Sequence, residues 1–266
     1  MNVKIIAHRG ANRKAPQNTL PAFRQAIADG ADGFETDVHL TADGVPVICH
    51  NYTIDKTSDG TGAISSYTLA ELKKFDFGAY FSEDFRGTPL PTLDEFLALV
   101  APSDAQIINI ELKCPKGRMF ELVNKTIQAV RRFGVLDRVI ISSFSPAILK
   151  MAKDIEPRCK TGFLHPTQSP SICRAVFLEP YTILHSTKAD YAHPASITVT
   201  KMSVMLEHKM GRKVNVWTVN DEPTIRYLLA CGVDGIITDT PDKTRAVVEK
   251  IEGKRAAPAM EPAPSV

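Results

Sequence analysis

A chain of 266 residues with 44% hydrophobic and 23% charged side chains can build one full hydrophobic core, which excludes disorder throughout. Lys and Arg at 32 against Asp and Glu at 30 leave a formal charge of +2 with no long basic stretch, so nothing predicts nucleic acid or an anionic membrane surface as partner. The five cysteines, Cys49, Cys114, Cys159, Cys173 and Cys231, are scattered without a C-x-x-C pair, which argues against a disulfide scaffold and reads as free thiols in a reducing compartment.

The amino terminus enters a strand at once, "VKIIAH" (3 to 8), with no signal-peptide stretch, and no apolar run reaches the ~18 residues of a membrane span; the expected location is the cytoplasm. An amphipathic helix, "NTLPAFRQAIADG", ends in glycine as a helix C′ position should. Next comes "GFETDV" (33 to 38), then the turn residues "TADG" and a returning "VPVICHN", which together read as a β-hairpin with Gly44 available for positive φ. Residues 51 to 92 are rich in Gly, Ser, Thr, Asp and Pro and contain one clear short helix around "LAELKKF". They read as an insertion over the mouth of the fold, after which "TLDEFLALV" restores the rhythm.

Further strand-like runs are "QIINIELK" (106 to 113), "RVIISS" (138 to 143), "KTGFLH" (160 to 165), "YTILHS" (181 to 186), "VNVWTV" (214 to 219) and "DGIITD" (234 to 239). Amphipathic stretches such as "MFELVNKTIQAVRRFG" and "EPTIRYLLACG" lie between them. Alternating β and α implies a parallel sheet with right-handed crossovers. Eight such units favour an α/β (β/α)8 TIM barrel with an insertion after the second-strand hairpin; an open doubly wound sheet with fewer strands is the alternative. The barrel is expected over residues 1–252, with 51–92 as the insertion and 253–266 as a disordered Pro/Ala-rich tail.

In such a barrel the active site lies at the carboxyl ends of the strands. His8 and Arg9 end the first, Glu35 and Asp37 the second, Glu111 and Lys113 the third. Strand side chains alternate, so each i, i+2 pair shares one face, and the hairpin returns His50 roughly opposite Glu35. Glu35, Asp37 and Glu111 form an all-oxygen set suited to one divalent cation, Mg²⁺ or Ca²⁺, while the absence of Cys or paired-His spacing argues against zinc. Alone, each pair also reads as rim polarity or a same-face ion pair; together they are harder to dismiss. Trp217 is by default a core residue, yet its strand-end position also suits a pocket wall. Among the other histidines, His165 and His185 stand out only because each ends a predicted strand. There is no Walker loop, H-E-x-x-H or G-x-S-x-G elbow.

In order, "HRGANRKAPQNTLPAF", "GADGFETDVHLTADGVPVICHN", "PLPTLDEFL", "INIELK", "VNVWTVN" and "GVDGIITDTPD" closely resemble the glycerophosphodiester phosphodiesterase family, from about residue 4 to residue 250. The resemblance implies a TIM barrel that hydrolyses small glycerophosphodiesters to glycerol 3-phosphate and an alcohol in a metal-dependent reaction. It implies Glu35, Asp37 and Glu111 as metal ligands, His8 and His50 as the acid–base pair, and Arg9 and Lys113 on the phosphate oxygens. In the family the glycerol's adjacent hydroxyl is thought to attack first, giving a cyclic phosphate that water opens.

The chain departs from the family pattern twice. Pro16-Gln17-Asn18-Thr19 stands where Pro-Glu-Asn-Thr is usual, which removes a carboxylate near the first loop and is expected to lower metal affinity. His50-Asn51 stands where His-Asp is common, and strand alternation predicts that Asn51 faces away from the His50 ring. Two alternatives follow: a lysophospholipase D-like or phospholipid headgroup phosphodiesterase, for which the aromatics of "FDFGAYFSEDF" would supply a lipid groove, and an inactive binding protein on the same barrel, suggested by Gln17 and Asn51.

Overall fold

The structure, a computed structural model, describes residues 3–113, 117–165 and 185–256. Nine strands run in chain order: β1 (Lys4–His8), β2 (Gly33–Leu40), β3 (Pro46–Ile48), β4 (Ile107–Leu112), β5 (Val139–Ser143), β6 (Lys160–Leu164), β7 (Tyr191–His193), β8 (Lys213–Val216) and β9 (Gly235–Thr238). Eight of them are parallel and close on themselves through β1–β2 pairing, making the expected (β/α)8 barrel, while β3 pairs antiparallel with β2 as the hairpin.

Local chemistry sets the element ends. Thr92 and Glu95 form a reciprocal capping box at the start of the helix Leu93–Val100, and Asp221 accepts from the backbone N–H of Thr224 at the start of Glu222–Cys231. Gly232, at φ 84°, closes the latter helix in the left-handed conformation that glycine adopts without a Cβ penalty. Along β4, Ile108 and Ile110 face outward into the main core with Phe23, Phe34, Phe96 and Leu97, while Ile107, Asn109 and Glu111 face the barrel axis.

The axis is apolar toward the amino ends of the strands, where Ile6, Ile107, Ile140, Tyr191 and Ile237 meet under Trp217, and polar above. Asn109, Ser142, His193 and Asn215 point inward there and are wholly buried. A Cβ on Gly162 would come within 2.9 Å of the His193 ring, so glycine is what lets that ring lie across β6. Among the described residues no helix is long and apolar enough to cross a membrane.

Three expectations need correction: the sixth strand, the place of His185 and the start of the tail. The sixth barrel strand is Tyr191–His193, not 181–186: residues 181–184 lie outside the described residues, and His185 and Ser186 are helical, so His185 does not end a strand. Three residues of "YAH" carry too short a pattern to be read by alternation, although their ladder to β6 is regular. At the carboxyl end, the helix beginning at Pro241 continues through Ala256, so 253–256 are helical where a tail was expected; 257–266 lie outside the described residues. The segment after β3 contains the helix Leu69–Leu72 inside "LAELKKF" and has its own small core of Ile54, Ile64, Leu72, Phe77 and Leu90 against Val47 and Cys49.

Candidate active site

Strand register assembles the carboxylates. Glu35 and Asp37 project inward from β2, and pairing with β4 sets Asp37 beside Glu111. One carboxylate oxygen from each of Glu35, Asp37 and Glu111 lies within 4.8 Å of the others, and all three side chains are buried. Asp37 is the most tethered: Asn18 Nδ2 donates to its Oδ2 at 2.8 Å, Lys113 Nζ lies 2.9 Å from its Oδ1, and Arg9 Nε lies 3.4 Å from Oδ2. Lys113 also reaches Glu111 Oε1 at 2.5 Å.

Three buried acids against two cations leave excess negative charge, and the carboxyls divide accordingly. Burial, the Asp37 charge and the Glu111 charge push Glu35 well above the usual carboxylate range, and burial with the Asp37 charge raises Glu111 to about 7. Burial alone would raise Asp37 too, but the Lys113 and Arg9 charges outweigh it and hold that carboxyl below the usual range. Clustered, hard, buried oxygens that cannot all ionise by themselves suit one divalent cation, and the donor set fits Mg²⁺ or Ca²⁺ in chemistry.

The first loop is shaped by residues in the left-handed region: Arg9 and Asn18, each at φ 57°, and Gly10 at φ 81°. A Cβ on Gly10 would meet backbone atoms of Ala22 at 2.6 Å, so only glycine lets this loop lie on the first helix. The fold-back allows Arg9 N–H to donate to Glu35 backbone O at 3.0 Å and to Glu35 Oε2 at 3.2 Å. It also places Arg9 Nη1 2.7 Å from Gln17 Oε1, so the Gln17 departure falls beside Arg9.

His8 lies in register with Glu35, its Nε2 3.9 Å from Glu35 Oε2. Its Nδ1 is 2.7 Å from Asp239 Oδ1, and Asp239 also accepts from Asn12 Nδ2 (2.7 Å), Asn220 Nδ2 (2.8 Å) and Arg13 Nη2 (3.2 Å). Burial pushes the Asp239 carboxyl up, but these partners, His8 foremost, hold it below the usual range, so it accepts the Nδ1 proton. Nε2 is then the ring atom turned toward the acids. Burial foremost, with the Arg9 charge, lowers the His8 pKa against the raising effect of Asp239.

His50 lies past the end of β3 and shares a cleft of about 500 Å³ with Tyr52, Glu111, Lys113, Ser143 and Phe144. Its Nδ1 is 2.9 Å from Asn51 Oδ1, contrary to the expectation that Asn51 faces away: β3 stops at Ile48, and in the bend that follows neighbouring side chains are no longer held on opposite faces. Burial lowers the His50 pKa. His39 Nε2 lies 3.4 Å from the His50 carbonyl, behind the hairpin. Trp217 is half-buried: its Nε1 donates to His193 O at 2.8 Å and it meets Phe144 edge-on at 5.8 Å, so it stands behind one cleft wall. His165 follows β6, where burial lowers its pKa to about 4, apart from the acid cluster.

Sequence reasoning missed Asp239, Asn18, Asn12 and Asn220. Asp239 had an available signal, since it follows "IIT" at a strand's carboxyl end as Glu111 and Lys113 do. As a first expected result, Asp239→Asn lowers turnover by ~10²-fold with little change in KM, because an amide can present its N–H to Nδ1 and favour the wrong tautomer. A loss confined to KM would assign Asp239 to binding instead.

The model of the glycerophosphoryl diester phosphodiesterase family matches residues 8–243. The chain is 36% identical over 250 residues to the glycerophosphodiester phosphodiesterase of Caldanaerobacter subterraneus, covering 94% of this chain and 99% of that protein. It is 34% identical to the protein of the same name from Bacillus altitudinis, again over 94% and 99% of the two chains. A phosphodiesterase of Oleispira antarctica, solved in complex with the product sn-glycerol-3-phosphate, superposes with a TM-score of 0.84 at 28% identity, covering 92% of this chain and 96% of that one.

Proposed function

The chain belongs to the glycerophosphoryl diester phosphodiesterase family and is a glycerophosphodiester phosphodiesterase, and from that premise we propose that it hydrolyses small glycerophosphodiesters to glycerol 3-phosphate and an alcohol with one divalent cation. The observation that carries this reading is the buried cluster of Glu35, Asp37 and Glu111 with His8 on one side and the His50 cleft on another.

Glu35, Asp37 and Glu111 would hold the cation, Mg²⁺ or Ca²⁺. When bound, it neutralises charge that builds on the nonbridging oxygens as phosphorus is attacked. Arg9 and Lys113 sit at the acid cluster and bind the same oxygens; their charge matters more there than in water because the surroundings are buried. His8 Nε2, with the proton held on Nδ1 by Asp239, takes the proton of the attacking hydroxyl. His50, beside the open cleft, gives a proton to the departing alkoxide, and Asn51 holds its ring through Nδ1.

The deciding experiment measures glycerol phosphate released from glycerophosphocholine, glycerophosphoethanolamine and glycerophosphoglycerol with added Mg²⁺, Ca²⁺ or chelator, with choline release from lysophosphatidylcholine alongside. Turnover of the soluble diesters that stops in chelator is expected. Turnover of the lysolipid alone would reassign the substrate, and no turnover of any would leave a binding protein on the barrel.

A further inference from the structure

Arg9 directs its guanidinium through a neutral partner. Nη1 donates to the amide oxygen of Gln17 at 2.7 Å, while Asp37, the acid nearest the guanidinium, is shared with Lys113 and Asn18. Arg9 Nε makes no hydrogen bond among the described residues. Gln17 is itself anchored: the following Asn18 N–H donates to Arg9 O at 2.9 Å, and the Gln17 N–H donates to the hydroxyl of Tyr80 at 3.2 Å, tying the loop to the segment after β3. A glutamate has the same shape at this position and would cancel much of the Arg9 charge.

Taking Arg9 as a phosphate ligand, as in the reading above, we infer that Gln17 is a positioning residue that aims Arg9 through an uncharged acceptor and thereby sets how tightly the site retains its phosphomonoester product relative to its diester substrate. The two ligands differ in charge. A diester carries one negative charge, whereas a monoester carries close to two near neutral pH. A negative charge placed beside Arg9 therefore acts about twice as strongly, in free energy, on product as on substrate. Glutamine at this position favours retention of the product, and glutamate favours its release.

The test compares wild type and Gln17→Glu as metal-loaded enzymes, reading the inhibition constant and calorimetric affinity of glycerol 3-phosphate against KM for glycerophosphocholine. Gln17→Glu is expected to weaken product binding about tenfold and to raise KM about threefold. A purely structural disturbance moves product and substrate equally. Equal shifts, or none, overturn the inference. Arg9→Ala separates the premise from the inference: product affinity unchanged in Arg9→Ala removes Arg9 from phosphate binding, whereas loss in Arg9→Ala with none in Gln17→Glu overturns the role of Gln17 alone.

Discussion

Asp37→Asn is expected to fold and yet to turn over glycerophosphodiesters roughly 10³-fold more slowly at saturating substrate, with excess chelator bringing the wild type to the same residual rate. The substitution keeps the shape of the side chain and removes the charge on which Arg9, Lys113 and Asn18 converge. It also removes the one acid of the cluster that stays readily ionised, since burial and mutual repulsion push Glu35 and Glu111 upward. A hard divalent ion needs anionic oxygen, so cation affinity by calorimetry should fall together with turnover. Asp37→Asn at full rate in excess chelator would take the cation out of the chemistry.

The second large effect concerns His50. His50→Ala should cost ~10²- to 10⁴-fold in turnover on glycerophosphocholine, the usual worth of a positioned acid or base, with little change in KM. The leaving group separates the two roles. A p-nitrophenyl ester departs as a stabilised anion and needs no proton, so His50→Ala should regain much of its lost rate on the aryl substrate. His8→Ala, which removes the proposed base, should be slow on both. Equal losses for His50→Ala on aryl and alkyl substrates would reassign His50 to phosphate binding or to the base.

Both predictions concern residues that the sequence made visible, and the reason is periodicity. A strand's two-residue repeat places Glu35 with Asp37 and Ile107 with Asn109 and Glu111 on the inward side, and the "TADG" turn fixes the return of the chain toward His50. Where regular structure stops, that legibility stops too. The contact of Asn51 with His50 depends on a bend beyond β3, and Asn18 reaches Asp37 only because the first loop folds back through left-handed residues. β7 is too short to show a period, and the last helix runs on through a glycine and a lysine–arginine pair that local composition read as a tail. Asp239 is a different case: the strand-end rule reached its position, but its partners His8, Asn12 and Arg13 lie at the opposite end of the chain, where no local pattern connects them.

That separation bears on when a newly made molecule becomes competent. By Lys113 the ribosome has delivered all three acids, both histidines and both cations of the site, less than half of the chain. Asp239 stands 231 residues after His8, and the β1–β9 pairing that brings them together needs nearly the last strand-forming residues to emerge. An amino-terminal fragment therefore carries the proposed site residues without the Asp239 carboxylate that pairs with the His8 ring. The β1–β9 pairing that closes the ring of strands also brings the His8–Asp239 pair together, so a product truncated before β9 has the acids, His8 and His50 but lacks the carboxylate that accepts from His8 Nδ1.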